Sequence, residues 1–99
     1  MIYEVTVRVE SHRNGDWVMW IHPHVSRVLA TGCFHKATVE QALTNEPADL
    51  YEYVIRYSFC HLNDFYRYER DHAAAMRLEG LQFFGNAISA TRRLLKQIS

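Results

Sequence analysis

Two histidines carry the chemistry that this sequence offers. His24 falls in the series Trp17, Trp20, Ile21, His24 and Val28, at i, i+3, i+4, i+7 and i+11, the repeat of one helical face. His72 sits in a second such series with Phe65, Tyr68 and Met76. Ionisable side chains are seldom fully buried without a partner. Each ring is therefore either a packing residue bonded to a carbonyl or a tyrosine, or the polar handle of a pocket. A desolvated imidazole stays neutral and can take a proton near neutral pH. Glu69, one turn before His72, is spaced to hold that ring in one tautomer, although a surface ion pair explains the spacing equally well.

The elements that must position these rings are legible. Residues 2–10 alternate, with Tyr3, Val5, Val7 and Val9 on one side and Glu4, Thr6, Arg8 and Glu10 on the other, as in a half-buried strand. A turn at residues 12–15 leads into a first helix, with Asn14 or Asp16 as its cap, a kink or division at Pro23, and Gly32 as its left-handed end. Residues 33–42 read as a second strand, which includes Cys33 and Phe34, and residues 43–50 as a polar loop with Asn45, Pro47 and Asp49. Residues 51–59 are the strongest strand, with Tyr51, Tyr53, Ile55, Tyr57 and Phe59 on one face. A second helix opens at Asn63 or Asp64, is weakened at Gly80 and stops at Gly85, and a last strand covers residues 87–96. The order β-α-β-β-α-β predicts a single α+β domain over residues 1–99 with the ferredoxin-like fold, one sheet with two helices on one face.

Those helices put both imidazoles over the same sheet face. With Trp20, Tyr53 and Tyr57 they would line a site for a small apolar or aromatic ligand. A pocket of this kind requires a volume of about 300 Å³ or more touching both rings. The other face would mix Glu4, Arg8, Lys36, Glu52 and Arg56 with Phe34 and Val54. Arg92 and Arg93 point to opposite faces; one can join that charged network and the other can anchor an anionic ligand or the second helix.

Composition narrows the function classes. Lys plus Arg and Asp plus Glu number 11 each, so no long-range field attracts a polyanion, and the aromatics lie on the core side rather than on the open sheet face. Nucleic acid is not an expected partner. No apolar run approaches the ~20 residues of a membrane span, and no signal-peptide pattern follows Met1. The expected location is the cytoplasm. Cys33 and Cys60 read as reduced thiols on strands, with an interstrand bridge as the alternative. His22 and His24 diverge on a helix, Cys33 and His35 make only two ligands, and HExxH or paired CxxC spacing is missing, so neither a metal nor a cofactor is expected.

The run Leu29-Ala30-Thr31-Gly32-Cys33-Phe34, together with His24, His72-Ala73, Phe84-Gly85 and Arg92-Arg93, resembles a family of small bacterial proteins of unknown function in the dimeric α+β barrel group. In that family a His-Ile-Pro-x-Val pattern precedes the turn. Here it is His24-Val25-Ser26-Arg27-Val28, with the proline displaced to Pro23, and a His-Ala-Pro pattern is replaced by His72-Ala73-Ala74. The resemblance implies a homodimer in which two sheets face each other. It is similar at the fold level to antibiotic-biosynthesis monooxygenases, muconolactone isomerases and haem-degrading enzymes, which place ligands between sheet and helices. Two readings follow: a homodimeric module with a structural or protein-interaction role, or a small-molecule-binding protein or cofactor-free enzyme of monooxygenase or isomerase type with His24 and His72 in its pocket.

Overall fold

A computed structural model describes residues 1–44 and 49–99. The Asn45 and Pro47 part of the expected loop lies outside the described residues. The chain folds as β1 (Ile2–Glu10), α1 (Asn14–Ala30), β2 (Lys36–Gln41), β3 (Leu50–Ser58), α2 (Leu62–Asp71), α3 (Ala73–Phe84) and β4 (Ile88–Leu95). The strands form one antiparallel sheet in the order β2-β3-β1-β4, the arrangement of a ferredoxin-like α+β fold.

The period-2 alternation of β1 decides which side is core. Tyr3, Val5, Val7 and Val9 are buried beneath the helices, opposite Tyr57, Ile55, Tyr53 and Tyr51 of β3. From α1 the helical repeat delivers Trp17, Ile21 and Val28 to the same layer, each nearly inaccessible. Aromatic rings fill one end of it: Phe34 stacks near Tyr3 and meets Tyr57 and Tyr68 at centroid distances of 5.2 and 4.9 Å. Such pairs contribute about 0.5–1.5 kcal/mol each beyond area burial.

Several local expectations change. α1 is one helix through Pro23, and neither Asn14 nor Asp16 caps it: Asn14 Oδ1 accepts the Tyr53 hydroxyl at 2.6 Å, while Asp16 pairs with Arg13 at 3.1 Å. β2 begins at Lys36, so Cys33 and Phe34 belong to the turn before it. That turn, aided by Gly32 at φ 78°, sends Phe34 into the aromatic cluster and not onto the open face. Both cysteines are free thiols, and Cys60 lies just past β3. The second helix breaks at His72 (φ −131°) instead of weakening at Gly80. The break turns Tyr68 of α2 toward the aromatic cluster and lets α3 bury Ala73, Gly80 and Phe84. Gly85, at φ 54°, ends α3, where an L side chain would be strained.

Candidate functional site

The helix–sheet layer is not filled throughout. A cleft of about 90 Å³ lies between α1, α3 and the sheet, with Trp17, Trp20, Ile21 and His24 of α1 along one wall. Val5, Val7, Ile55 and Ala90 form its floor, and Met76, Gly80 and Ile88 line it on the α3 and β4 side. Gly80 packs against Trp20: a β-carbon there would stand 3.5 Å from the indole, an ordinary van der Waals contact. The rim residues Arg77, Leu81 and Arg92 are exposed, so the cleft opens between α3 and the edge strand β4.

The expected site residues do not all meet. His24, Trp20 and Tyr57 line the cleft. Tyr53 stands outside it, stacked on Trp17 with centroids 4.2 Å apart and bonded to Asn14. His72 stands outside as well, at the helix break beside Tyr68, and Glu69 pairs with Arg77 at 2.7 Å rather than with His72. The two imidazoles therefore do not share one cavity, and the volume falls short of the roughly 300 Å³ expected of a closed drug-sized site.

His24 is held from two sides. Its ring stacks on Trp20 at a centroid distance of 4.3 Å, and Nδ1 lies 2.9 Å from Glu79 Oε1. Arg27 clamps the same carboxylate, with Nη2 2.7 Å from Oε1. That clamp holds Glu79 below its ordinary pKa, with the hydrogen bond from His24 acting in the same direction. Burial lowers the pKa of His24 and outweighs the opposite pull of Glu79. A carboxylate only accepts, so Nδ1 carries the proton of the neutral ring and Nε2 is left as an acceptor.

The opposite end of the cleft holds phenols. Tyr57 and Tyr68 are buried, and among the described residues neither hydroxyl has a hydrogen-bond partner. Burial pushes both phenols well above their ordinary pKa, and the neighbouring Tyr3 adds to this for each. They are donors at any physiological pH. The guanidiniums of Arg77 and Arg92 oppose the shift at Tyr68, which places positive charge near that hydroxyl. Arg92 belongs to the helix-side face of β4, opposite Val5. In the sequence an anchoring role was expected of one of Arg92 and Arg93, whereas Arg77, Gly80 and Leu81 carry only the signals of a solvated charge, a helix breaker and a surface apolar residue.

The other sheet face carries no helix. At its centre Glu4 is only 4% exposed, although it projects from the solvent side. Register explains this: Glu4 lies opposite Arg56 of β3 and Arg93 of β4. Their guanidiniums fold over it at 3.0 and 2.8 Å, Arg56 also reaches Glu40 at 3.4 Å, and Arg8 pairs with Glu52 at 3.1 Å. No group of potential metal ligands occurs among the described residues, and none of their helices is long and apolar enough to cross a membrane.

A family model for a domain of unknown function, DUF4286, matches residues 1–98. The chain belongs to the DUF4286 family. No curated protein matches it. Among solved structures, this DUF4286 chain is similar to an ethyl tert-butyl ether degradation (EthD) family protein from Bacillus halodurans, with TM-score 0.62 and 12% identity over 97% of this chain and all of that one. It is also similar to the de novo designed protein Foldit4, with TM-score 0.59 and 14% identity over 96% of this chain and 97% of that one. At these identities the likeness is one of fold. A natural protein and a designed one share the backbone, so the DUF4286 fold by itself carries no chemistry.

Proposed function

We propose that this DUF4286 protein is a cytoplasmic small-molecule-binding protein that works as a homodimer, with one cleft per protomer. The observation that carries the reading is the pair of phenols, Tyr57 and Tyr68, that line an apolar cleft with no acceptor among the described residues. Hydroxyls that open onto a cleft are met by water, or by a ligand that displaces it. The cleft is open at the β4 edge, and a ligand larger than its 90 Å³ can extend past Arg77 and Arg92. His24 supplies a neutral acceptor on the wall.

The dimer rests on a separate observation, the cross-strand ion pairs of the uncovered sheet face. Their charges already satisfy one another, so a second copy can cover them without stranding an unpaired ion. Light scattering at micromolar concentration should report two chains; a monomer removes the dimer and leaves the cleft.

Native mass spectrometry on the gently purified chain tests the binding role. We expect a small-molecule adduct on the wild type that is absent from Ala90→Ile, which fills the floor of the cleft. Wild type and variant carrying the same adduct would place the ligand elsewhere. Wild type without an adduct, whose indole N–H resonances also stay fixed in a fragment screen, would end the reading.

A further inference from the structure

Resting on the cleft reading, we propose that the ligand is a short monocarboxylate with an apolar tail, seated head-first at Tyr57, Tyr68 and Arg92.

Charge selects the sign of the head group. Of the cleft's lining residues, two are arginines and none is acidic. The nearby carboxylates are already engaged, Glu69 by Arg77 at 2.7 Å and Glu79 by Arg27 at 2.7 Å. Arg92 makes no ion pair among the described residues, so one guanidinium at the rim is uncommitted. A cation at this end would meet only repulsion. A neutral head would leave Arg92 as solvated as before and gain nothing from it.

Donor geometry selects a carboxylate among anions. The phenols of Tyr57 and Tyr68 are protonated donors, and with the Arg92 fork they supply a few N–H and O–H groups to the lining of one cleft. A carboxylate has two oxygens and about four acceptor positions, which this set can largely fill. A phosphate ester carries more charge and more acceptor oxygens than one free guanidinium and two phenols can meet.

Sheet register then orders the tail. Tyr3 and Tyr57 face each other at one end of the β1–β3 ladder. On β4 the helix-side residues run Leu94, Arg92, Ala90 and Ile88, away from that end. A molecule with its carboxylate near Arg92 therefore extends its tail over Ala90 and Ile88, under Gly80 and against Trp20. All four are apolar or lack a side chain. The cleft holds only a few carbons, so the tail is a short aliphatic chain or a single ring.

Both tryptophans of the chain line the cleft, which makes their emission a direct reporter. The full chain would be titrated with hexanoate and phenylacetate, and with their neutral counterparts hexan-1-ol and phenylacetamide. We expect saturable emission changes, with the carboxylates bound roughly 10-fold more tightly than the neutral pair. Arg92→Gln should reduce carboxylate binding to the neutral level while leaving neutral binding unchanged, and Arg92→Lys should restore part of the preference. Circular dichroism of each variant confirms the fold. Neutral compounds binding as tightly as the acids, or a carboxylate preference that survives Arg92→Gln, would overturn the carboxylate assignment and leave the cleft as a site. Failure of all four compounds to shift emission saturably would overturn the assignment and the cleft reading together.

Discussion

On the uncovered face of the sheet, Glu4 has guanidiniums at 2.8 and 3.0 Å, from a strand on either side of it. On the helix-covered face, Tyr57, next to Arg56 on β3, and Tyr68 of α2 line the cleft, and neither hydroxyl bonds to a described residue. In the first arrangement each oxygen of the central carboxylate faces a cation from the same chain: Oε1 accepts a hydrogen bond from Arg93, and the buried Oε2 is ion-paired with Arg56 without a hydrogen bond. In the second, two phenols line an open cleft and their hydroxyls are left to water. The charged face pairs its groups with one another and ties β1 to β3 and β4, whereas the cleft keeps donors that no described residue uses.

The largest test of this contrast is on the charged face. Removing both covering arginines, Arg56→Ala with Arg93→Ala, leaves the Glu4 carboxylate without its cations. Breaking a fully buried pair costs about 3–5 kcal/mol. Here the arginines are 44% and 69% exposed, so water partly replaces them, and the lower end, about 3 kcal/mol, is expected in urea denaturation. A loss of under about 1 kcal/mol, the range of exposed pairs, would show that the network is a surface feature. The contrast with the cleft would then disappear.

A finer test compares two tyrosines four residues apart on β3. Tyr53 donates to Asn14 Oδ1 at 2.6 Å, and Tyr57 donates to no described residue. Tyr53→Phe should cost about 1 kcal/mol, because it deletes a hydrogen bond and leaves Asn14 unmet. Tyr57→Phe should be neutral or slightly stabilising, because it deletes a hydroxyl that the fold does not use. Equal costs in thermal unfolding would mean that the Tyr57 hydroxyl is structural, and the cleft would lose its polar end.

The backbone was legible from the sequence where periodicity is strong. The alternation of β1 and β3 and the helical repeat of α1 place Trp17, Ile21, Val28 and the inward tyrosines without any tertiary information. What was not legible depends on register and on contacts between elements. Glu4 reads as a solvent-side residue by alternation; only its alignment with Arg56 and Arg93 buries it. His72 reads as a continuation of a helical face, and no glycine or proline announces the break there. Tyr53 and Tyr57 share a strand face, yet one meets the first turn of α1 and the other the open cleft, a distinction set by where α1 crosses the sheet. Arg77 and Arg92 come from different elements, and their proximity to Tyr68 exists only once α3 lies beside β4.

The smallest expected effect, and the one that bears most directly on the chemistry of the cleft wall, is the titration of His24. Burial lowers its pKa from the ordinary 6.5, while Glu79 pulls the other way. The folded state therefore binds the proton less readily than the unfolded chain does. The stability that follows from a neutral His24 is fully present above pH 6.5 and is lost as pH falls from there through the lowered folded value. Glu79 is itself depressed below its ordinary 4.5, so its own contribution is lost only at lower pH and does not mask the first window. Following the His24 ring protons by NMR between roughly pH 5 and pH 8 reads this directly. The midpoint should lie under 6.5, and Glu79→Gln should move it further down, since the pull that opposes burial is then gone. His24→Gln should flatten the corresponding slope of stability against pH. A midpoint above 6.5 would mean that Glu79, and not desolvation, governs the ring. His24 would then be an imidazolium at neutral pH, an ion-paired partner of Glu79 and Arg27 with no acceptor to offer the cleft.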